Sequence, residues 1–475
     1  MSAVAALGLS AMLAGCGQTY YFAGRVLPPS GLSYRVMVAI QNPGTISQGA
    51  LEILDAYYDV RFAYNNPNMT YSISGYSGNL PLTIQNFPEE QFGAVYSSGD
   101  GGFTGVNYQK EATGGSLATL PGASQSIFVT RDQSFIFAAN QNNHTLTVVD
   151  KTITSGEYTL NLPGVYRVSV NPGGTVALAF VQNSNYIYYA QRLSSAQTLA
   201  YSGGSGTWPK AAVDCEPQNA PQWCLYQAQS PDHVDATGTP YGAPLAFDRP
   251  VKAIFSNDGG TAYILNCGPE CGGTASSVSV MPVGPMIFEP NQGSGKLPST
   301  GAVTTIPVPG GASNALINSS TMYVVGQQLK PDGLFTGNLT VINLSTNTVA
   351  GSMGISDGSP GAPSRMILGD DNTLWVAMTG CTNGERYAKG LPYGCLTMFN
   401  TSSNTVTTIE PYEGDATGLA AVTTLHKLYA AQGGQVYIFS TKDGTAYNNQ
   451  YVTVTGTAYD LAYMDAPSDA DNTVY

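Results

Sequence analysis

The pattern that indicates the fold is clearest in one segment, Ser126-Ile-Phe-Val-Thr-Arg-Asp-Gln-Ser-Phe135-Ile-Phe-Ala-Ala-Asn140-Gln-Asn-Asn-His-Thr145-Leu-Thr-Val-Val-Asp150. It contains three short runs that are rich in β-branched and aromatic residues. A tight polar turn separates the first run from the second, and a loop of turn-forming residues separates the second from the third. This pattern predicts three antiparallel strands joined by hairpins.

The same order of strand, turn, strand, loop and strand recurs along the chain. The first strands of the clear copies lie at residues 165–170, 251–255, 314–318, 365–368 and 419–422, and a weaker copy begins at 82–85. One such unit cannot bury both faces of its small sheet by itself. Sheets stacked radially around an axis bury their faces against each other, so the sequence predicts a single all-β domain, a β-propeller.

The strands of the best copy carry a family resemblance. Phe135-Ile-Phe-Ala-Ala-Asn140 and Thr145-Leu-Thr-Val-Val-Asp150 resemble the repeats of the YVTN and lactonase-like propellers, and residues 339–343 repeat the likeness. The resemblance implies the fold over nearly the whole chain. It implies little about activity, because propellers include both enzymes and pure binding modules.

The two ends of the repeat region complement each other. Residues 35–40 and 50–55 resemble second and third strands without a first, whereas 459–463 resembles a first strand without partners. We therefore predict that strands from both termini form one blade, which closes the ring and removes its open edges. Counting this blade gives eight; seven blades, common in the families that the chain resembles, is the alternative.

The N-terminus carries an export signal. Residues 3–15 are small or apolar and end in Leu13-Ala14-Gly15-Cys16. This tetrapeptide resembles the lipobox of bacterial lipoproteins, which implies that residues 1–15 are a signal peptide and that Cys16 receives lipid. Residues 16–33 are then a flexible tether, and 34–475 the propeller. Residue 17 is Gly rather than Asp, which in that family favours the outer membrane. The alternative is an ordinary signal peptide with an unrelated cysteine.

The other six cysteines fall in close pairs. An even number of cysteines in an exported chain predicts disulfides, although six cysteines allow fifteen connectivities. Local pairing is the preferred interpretation, and zinc is the alternative. The three histidines are scattered and none has ligand spacing to a cysteine. The preferred disulfides are Cys215–Cys224, Cys267–Cys271 and Cys381–Cys395.

Strand order assigns the loops to the two faces of the disc. The turns between first and second strands are short, as at 131–134 and 171–174, and form what we call the turn face. The loops between second and third strands are long, as at 266–276, 326–338 and 379–394, and form the loop face. The tether reaches the second strand at Arg35, so we expect lipid attachment from the turn face.

An insertion at about 202–246, held by Cys215 and Cys224, follows what is predicted to be a fourth strand and is therefore expected on the loop face. Aromatic rings in such a loop suit contact with a protein or a glycan; the alternative is that they form the insertion's own small core. The candidate binding residues are Trp208, Trp223, Tyr226, His233 and Tyr241.

Composition narrows the functions. The formal charge of −13 makes nucleic acid an unfavourable partner, and 10% charged residues with 55 glycines exclude a coiled coil. We find no cofactor motif. Acidic residues near the C-terminus, including Asp465, Asp469 and Asp471, suit either a hard cation or a solvated turn.

The leading hypothesis is a lipid-anchored binding or scaffold module of the bacterial envelope. The alternative is an exported, metal-dependent lactonase-like hydrolase.

Overall fold

The structure is a computed structural model that describes residues 27–468, apart from several internal gaps. The gaps lie at 45–47, 64–65, 125, 154–155, 194–211, 217–221, 230–243, 288–301, 357–360, 382–387, 391–394 and 411–413. The predicted signal peptide, Cys16 and most of the tether lie outside the described residues.

The described chain forms eight antiparallel sheets arranged as the blades of a propeller, which confirms the all-β prediction and the count of eight. Seven blades use consecutive strands. Blade 2 comprises β5 (Pro81–Phe87), β6 (Phe92–Ser97), β7 (Gly102–Asn107) and β8 (Ala112–Thr119). Blade 3 comprises β9 (Ser126–Val129), β10 (Phe135–Asn140), β11 (Thr145–Asp150) and β12 (Gly156–Asn161). Blade 4 comprises β13 (Val165–Val170), β14 (Ala177–Val181), β15 (Ile187–Leu193), β16 (Ala212–Glu216) and β17 (Gln222–Gln227).

The second half of the ring continues in the same way. Blade 5 comprises β18 (Pro250–Phe255), β19 (Thr261–Asn266), β20 (Ser277–Pro282) and β21 (Thr304–Pro307). Blade 6 comprises β22 (Asn314–Asn318), β23 (Thr321–Leu329), β24 (Phe335–Asn343) and β25 (Thr348–Gly354). Blade 7 comprises β26 (Ala362–Gly369), β27 (Thr373–Thr379), β28 (Leu396–Asn400) and β29 (Thr405–Glu410). Blade 8 comprises β30 (Ala416–Val422), β31 (Lys427–Gln432), β32 (Gln435–Ser440) and β33 (Ala446–Val452).

Blade 1 is the predicted composite of both chain ends. Its innermost strand is β34 (Thr457–Tyr463), which pairs antiparallel with β1 (Arg35–Gln41), and β1 pairs in turn with β2 (Gly49–Asp55). A bridge between Glu52 and Ser72 adds a short outer segment. The small hairpin β3 (Phe62–Ala63) and β4 (Asn66–Thr70) precedes that segment. The ring is therefore closed by hydrogen bonds between residues at opposite ends of the sequence.

Apolar side chains fill the spaces between neighbouring blades. Between blades 3 and 4, for example, Val148 and Leu160 belong to the same buried cluster as Ala179 and Leu225. Both faces of a central strand are covered, which explains why strands such as β10 are buried along their whole length. Packing between blades therefore supplies the core that no single blade could form.

The short turns between first and second strands are closed by their own acidic or amide side chains. Asp132 Oδ1 accepts a hydrogen bond from the Ser134 N–H at 3.0 Å, and Asp258 Oδ1 accepts one from the Gly260 N–H, also at 3.0 Å. Side chains of this type stabilise tight turns by replacing backbone acceptors. The turn face is accordingly regular around the described part of the ring.

The insertion leaves blade 4 at a different place from the one predicted. β15 is the third strand of its blade, not the fourth, because β17 pairs with its outer edge and β16 pairs beyond β17. β15 therefore ends, at Leu193, on the turn face. The physical reason is that the outer edge of β15 can pair with a strand of a later hairpin as well as with a simple fourth strand. The local sequence does not specify which of the two completes the blade.

The hairpin of β16 and β17, which carries the disulfide, and the segment after Gln227 consequently lie at different faces of the disc. Cys224 is opposite Gln191, in the half of β15 nearest the turn face, and Arg35 is also at that face because its carbonyl accepts the Met464 N–H at 2.9 Å. Only the segment after Gln227 departs from the loop face. The expectation that Arg35 and the Cys215 loop occupy opposite faces is wrong, and with it the assignment of the whole insertion to the loop face.

Among the described residues, no helix has the length and apolar character needed to cross a membrane.

Candidate functional site in the central tunnel

The innermost strands of the blades surround a central tunnel. Polar side chains connect neighbouring inner strands around its wall. Gln85 Oε1 accepts a hydrogen bond from the Val129 N–H at 2.7 Å, and Asp460 Oδ2 accepts one from the Ile84 N–H at 2.8 Å. An inner strand has one edge without a ladder partner, so its buried N–H groups need other acceptors. These side chains satisfy that need and hold neighbouring blades in register.

The tunnel contains a cavity of about 730 Å3 that residues from the inner strands of all eight blades line. This volume is within the range of small-molecule sites, which is roughly 300–1,000 Å3. Apolar residues such as Leu82 and Phe128 lie beside hydroxyl and amide groups such as Ser126, Ser313 and Asn314. The cavity therefore combines apolar walls with convergent polar groups, as ligand sites do.

Three basic residues line this cavity, and the described lining includes no acidic residue. They are Arg167 on β13, Lys252 on β18 and Arg365 on β26. The protein as a whole has 31 acidic residues against 18 basic ones. The charge of the cavity is thus opposite in sign to the net charge of the protein. The average composition would not produce such a lining, so the basic residues indicate a function of this cavity.

A chain of hydrogen bonds orients the basic groups. Lys252 Nζ donates to Asn314 Oδ1 at 2.8 Å, and Asn314 Nδ2 donates to the Ser364 carbonyl at 3.3 Å. Arg365 Nη1 donates to the same carbonyl at 3.4 Å. The guanidinium of Arg167 lies 5.6 Å from the centre of the Tyr166 ring, a cation–π distance. The neighbouring blade thus positions Lys252, whereas Arg167 and Arg365 are held by residues of their own strands.

Burial and neighbouring charges affect the protonation of Lys252 and Arg167. Burial lowers the pKa of Lys252 well below its usual value, and the charges of Arg167 and Arg365 lower it further. Burial also lowers the pKa of Arg167, and Arg365 adds to that effect. An arginine remains protonated in a protein, whereas a buried lysine readily loses its proton. Lys252 is therefore the group of the three whose charge depends most on its surroundings.

One carboxylate stands behind the lining. Asp460 on β34 has a fully buried side chain, and its Oδ1 is 3.8 Å from Arg365 Nε. This contact offsets part of the charge of Arg365 without neutralising the other two groups. The described cavity keeps a net positive character.

Sequence reasoning missed these three residues, although a signal was present. Each basic residue interrupts an otherwise apolar or small first strand, at the third or fourth position of β13, β18 and β26. In a chain with 10% charged residues, the same exception in the same strand of three repeats marks a shared surface. Their position within the strand also places them in the half of the tunnel nearer the loop face.

The structure places two of the five predicted aromatic and histidine site residues. Trp223 is 1% exposed, with its ring against Phe135 and Phe137 of blade 3, and its Nε1 donates to Asp150 Oδ2 at 3.3 Å. Tyr226 is 2% exposed. Both rings are part of the core between blades and present no surface to a partner.

The other three, Trp208, His233 and Tyr241, lie outside the described residues. The three predicted disulfides are all formed, and each joins residues that are near in sequence. They are Cys215–Cys224, Cys267–Cys271 and Cys381–Cys395.

The described residues contain no cluster of three or more His, Cys, Asp or Glu side chains placed to hold a metal ion. Asp465, one of the acidic residues considered for a cation site, instead forms an ion pair with Arg35 at 2.6 Å. Asp469 and Asp471 are outside the described residues. The basic lining of the tunnel cavity, by contrast, suits an anion.

Comparison with solved structures identifies propellers. The dihydro-heme d1 dehydrogenase NirN, solved in complex with DHE, is similar over 91% of this chain and 75% of its own, with 10% identity and a TM-score of 0.53. AztD from Citrobacter koseri is similar over 93% and 98%, with 8% identity and a TM-score of 0.50. No family model and no curated protein matches the sequence. At these identities the likeness establishes the fold alone.

A third similar structure is the periplasmic gluconolactonase PpgL of Pseudomonas aeruginosa, with 14% identity, coverage of 90% and 98%, and a TM-score of 0.41.

Proposed function

We propose that this protein is an exported, lipid-anchored propeller of the bacterial envelope that acts as a binding module and takes a small polar ligand into its central tunnel. The observation that carries the proposal is the axial cavity of about 730 Å3, in which polar and basic groups from several blades converge. The proposal moves the ligand site from the aromatic insertion to the tunnel, since Trp223 and Tyr226 are buried.

The sequence and the disulfide chemistry support export and attachment to a membrane by lipid. Leu13-Ala14-Gly15-Cys16 is a lipobox-like end to an apolar run, and the three disulfides suit an oxidising compartment outside the cytoplasm. Changing Cys16 to Ala should release the protein from the membrane fraction. An unchanged distribution, with no lipid mass on the wild-type N-terminal peptide, would rule out the anchor.

The orientation follows from the position of Arg35. Because β1 begins at the turn face, a tether that enters there draws that face toward the membrane. The loop face, with the long connections of blades 5 and 7, then faces away and offers the accessible mouth of the tunnel. A protein or glycan that contacts this rim remains a compatible additional partner.

The alternative function is an exported, metal-dependent hydrolase of the lactonase-like type. The basic lining of the described cavity gives a divalent cation no charged ligand there. Metal analysis of the purified protein together with a lactone hydrolysis assay separates the two functions. Stoichiometric metal with metal-dependent turnover would favour the enzyme.

The binding proposal is tested by blocking the tunnel. Ser313 lines the cavity, and the matched control Ser403 is exposed in a turn of blade 7. Each is changed to Cys and labelled with the same bulky maleimide, after which a panel of charged and neutral small molecules is screened by thermal shift and calorimetry. We expect a ligand that binds the wild type and the labelled Ser403→Cys protein but not the labelled Ser313→Cys protein. Equal binding by both labelled proteins would place the site elsewhere.

A further inference from the structure

We infer that the tunnel ligand is an oxyanion with two or more negative charges, a polycarboxylate or a phosphate compound, held by Arg167, Lys252 and Arg365, and that its binding brings one proton onto Lys252. This inference rests on the proposed function and specifies its ligand. It is carried by the geometry of the cavity, in which three basic side chains from different blades face one space.

The arrangement is unfavourable without an anion. Three basic groups share a cavity in which the described lining supplies no carboxylate, and Asp460, behind the lining, lies 3.8 Å from Arg365. Like charges that face each other in a partly desolvated space repel. An oxyanion relieves this repulsion and accepts charge-assisted hydrogen bonds, and the guanidinium fork matches a carboxylate or phosphate oxygen pair.

More than one negative charge is needed because the cations come from separate blades. Arg167 is on blade 4, Lys252 on blade 5 and Arg365 on blade 7. The Lys252 amine is already directed by its hydrogen bond to Asn314 Oδ1, at 2.8 Å. A polycarboxylate or a phosphate offers several charged oxygens, so that each of the three side chains can have an acceptor of its own.

Protonation of Lys252 follows from the same surroundings. The charged or titratable groups near Lys252 are Arg167 and Arg365, with Asp460 beside Arg365 and Tyr166 beside Arg167. Burial and the two guanidinium groups lower the pKa of Lys252. A bound anion opposes both guanidinium charges and so raises that pKa toward its usual value, which couples binding to uptake of a proton.

The test is isothermal titration calorimetry of the full chain with citrate and with inorganic phosphate, and with glucose as a neutral control. Titrations at mildly alkaline pH are repeated in Tris and in HEPES, which differ in heat of ionisation, so that the buffer dependence of the enthalpy counts protons. We expect uptake of up to one proton on anion binding, and an affinity that decreases as pH rises.

Variants locate the effect. Arg167→Gln and Arg365→Gln should each weaken anion binding about tenfold or more, because each removes a charge-assisted hydrogen bond. Lys252→Arg should keep binding but lose proton uptake, since arginine is protonated in both states. Arg131→Gln, an exposed residue paired with Glu89 and Glu90, makes the same charge change outside the tunnel and should bind as the wild type does.

The outcomes separate the inference from the function on which it rests. Proton uptake that persists in Lys252→Arg would overturn the role of Lys252, and anion affinity that is unchanged in both glutamine variants would overturn the site. A neutral ligand that the labelled Ser313→Cys protein loses, with no anion bound, would refute the anion and retain the tunnel function. If no compound binds in the tunnel, both fail. Circular dichroism and melting of each variant exclude loss of folding as the cause.

Discussion

One buried arginine links the two ends of the chain where the ring closes. Arg35 is 1% exposed, and its Nη2 donates to Asp465 Oδ1 at 2.6 Å while its Nε donates to Asp465 Oδ2 at 3.0 Å. Its Nη1 donates to Glu111 Oε1 at 3.0 Å and to the Tyr108 carbonyl at 2.6 Å. One side chain thus joins the start of β1, the last turn of blade 2 and the segment that follows β34.

We predict that Arg35→Met destabilises the protein by about 3–5 kcal/mol, the usual cost of removing one partner from a buried ion pair. The side chain of Met fills much of the space, so the cost arises from two carboxyl groups, on Asp465 and Glu111, that lose their buried cation. The triple variant Arg35→Met/Glu111→Gln/Asp465→Asn should recover part of this stability, because no uncompensated charge remains buried.

The assay is denaturant unfolding followed by circular dichroism, combined with hydrogen exchange of β34. Arg131→Met is the control, because Arg131 forms exposed ion pairs that contribute at most about 1 kcal/mol. Exchange in β34 and β1 should accelerate in Arg35→Met before the rest of the ring opens. An unfolding midpoint equal to that of the control, or unchanged exchange in β34, would refute the proposed closure.

Three further predictions concern the periphery and the closing strand. Burial raises the pKa of Glu270 to about 7, although the hydrogen bond that its Oε2 accepts from the Gln327 N–H at 2.9 Å opposes this shift. Between these two pKa values the folded state therefore binds a proton that the unfolded state has lost. The free energy of unfolding should decrease by up to about 3 kcal/mol as pH rises from about 4.5 to 7. Glu270→Gln should abolish this pH dependence in urea titrations, and an unaltered profile would exclude Glu270 as its cause. Trp223→Ala should cost about 3–5 kcal/mol by leaving a cavity against blade 3, with a lower urea midpoint, and a loss below 1 kcal/mol would contradict its burial. Deleting residues from Thr457 onward removes the partner of β1 and should cause aggregation visible by light scattering; unchanged melting would mean that β34 does not close the ring.

Several elements followed from local sequence. Strands such as β10 and β11 were predictable because alternating turn formers and β-branched runs act over a few residues. The three disulfides were preferred because each pair is close in the chain. Even the closure of the ring was predictable, since the missing first strand at one end matched the unpaired strand 459–463 at the other.

Other features required the tertiary structure. Trp223 is buried because Phe135 and Phe137 of the neighbouring blade cover it, and no property of the insertion itself reveals that contact. β15 proved to be a third strand because a later hairpin paired with its edge, and local sequence does not specify which edge a hairpin joins.

The basic cavity shows the same division most clearly. The repeat pattern is enough to assign Arg167, Lys252 and Arg365 each to the first strand of a repeat. Only the closed ring brought these strands around one axis, so that three separate cations face a common space. The physical reason is that strand formation depends on neighbours along the chain, whereas the electrostatics of a cavity depends on distances between residues that the chain separates widely.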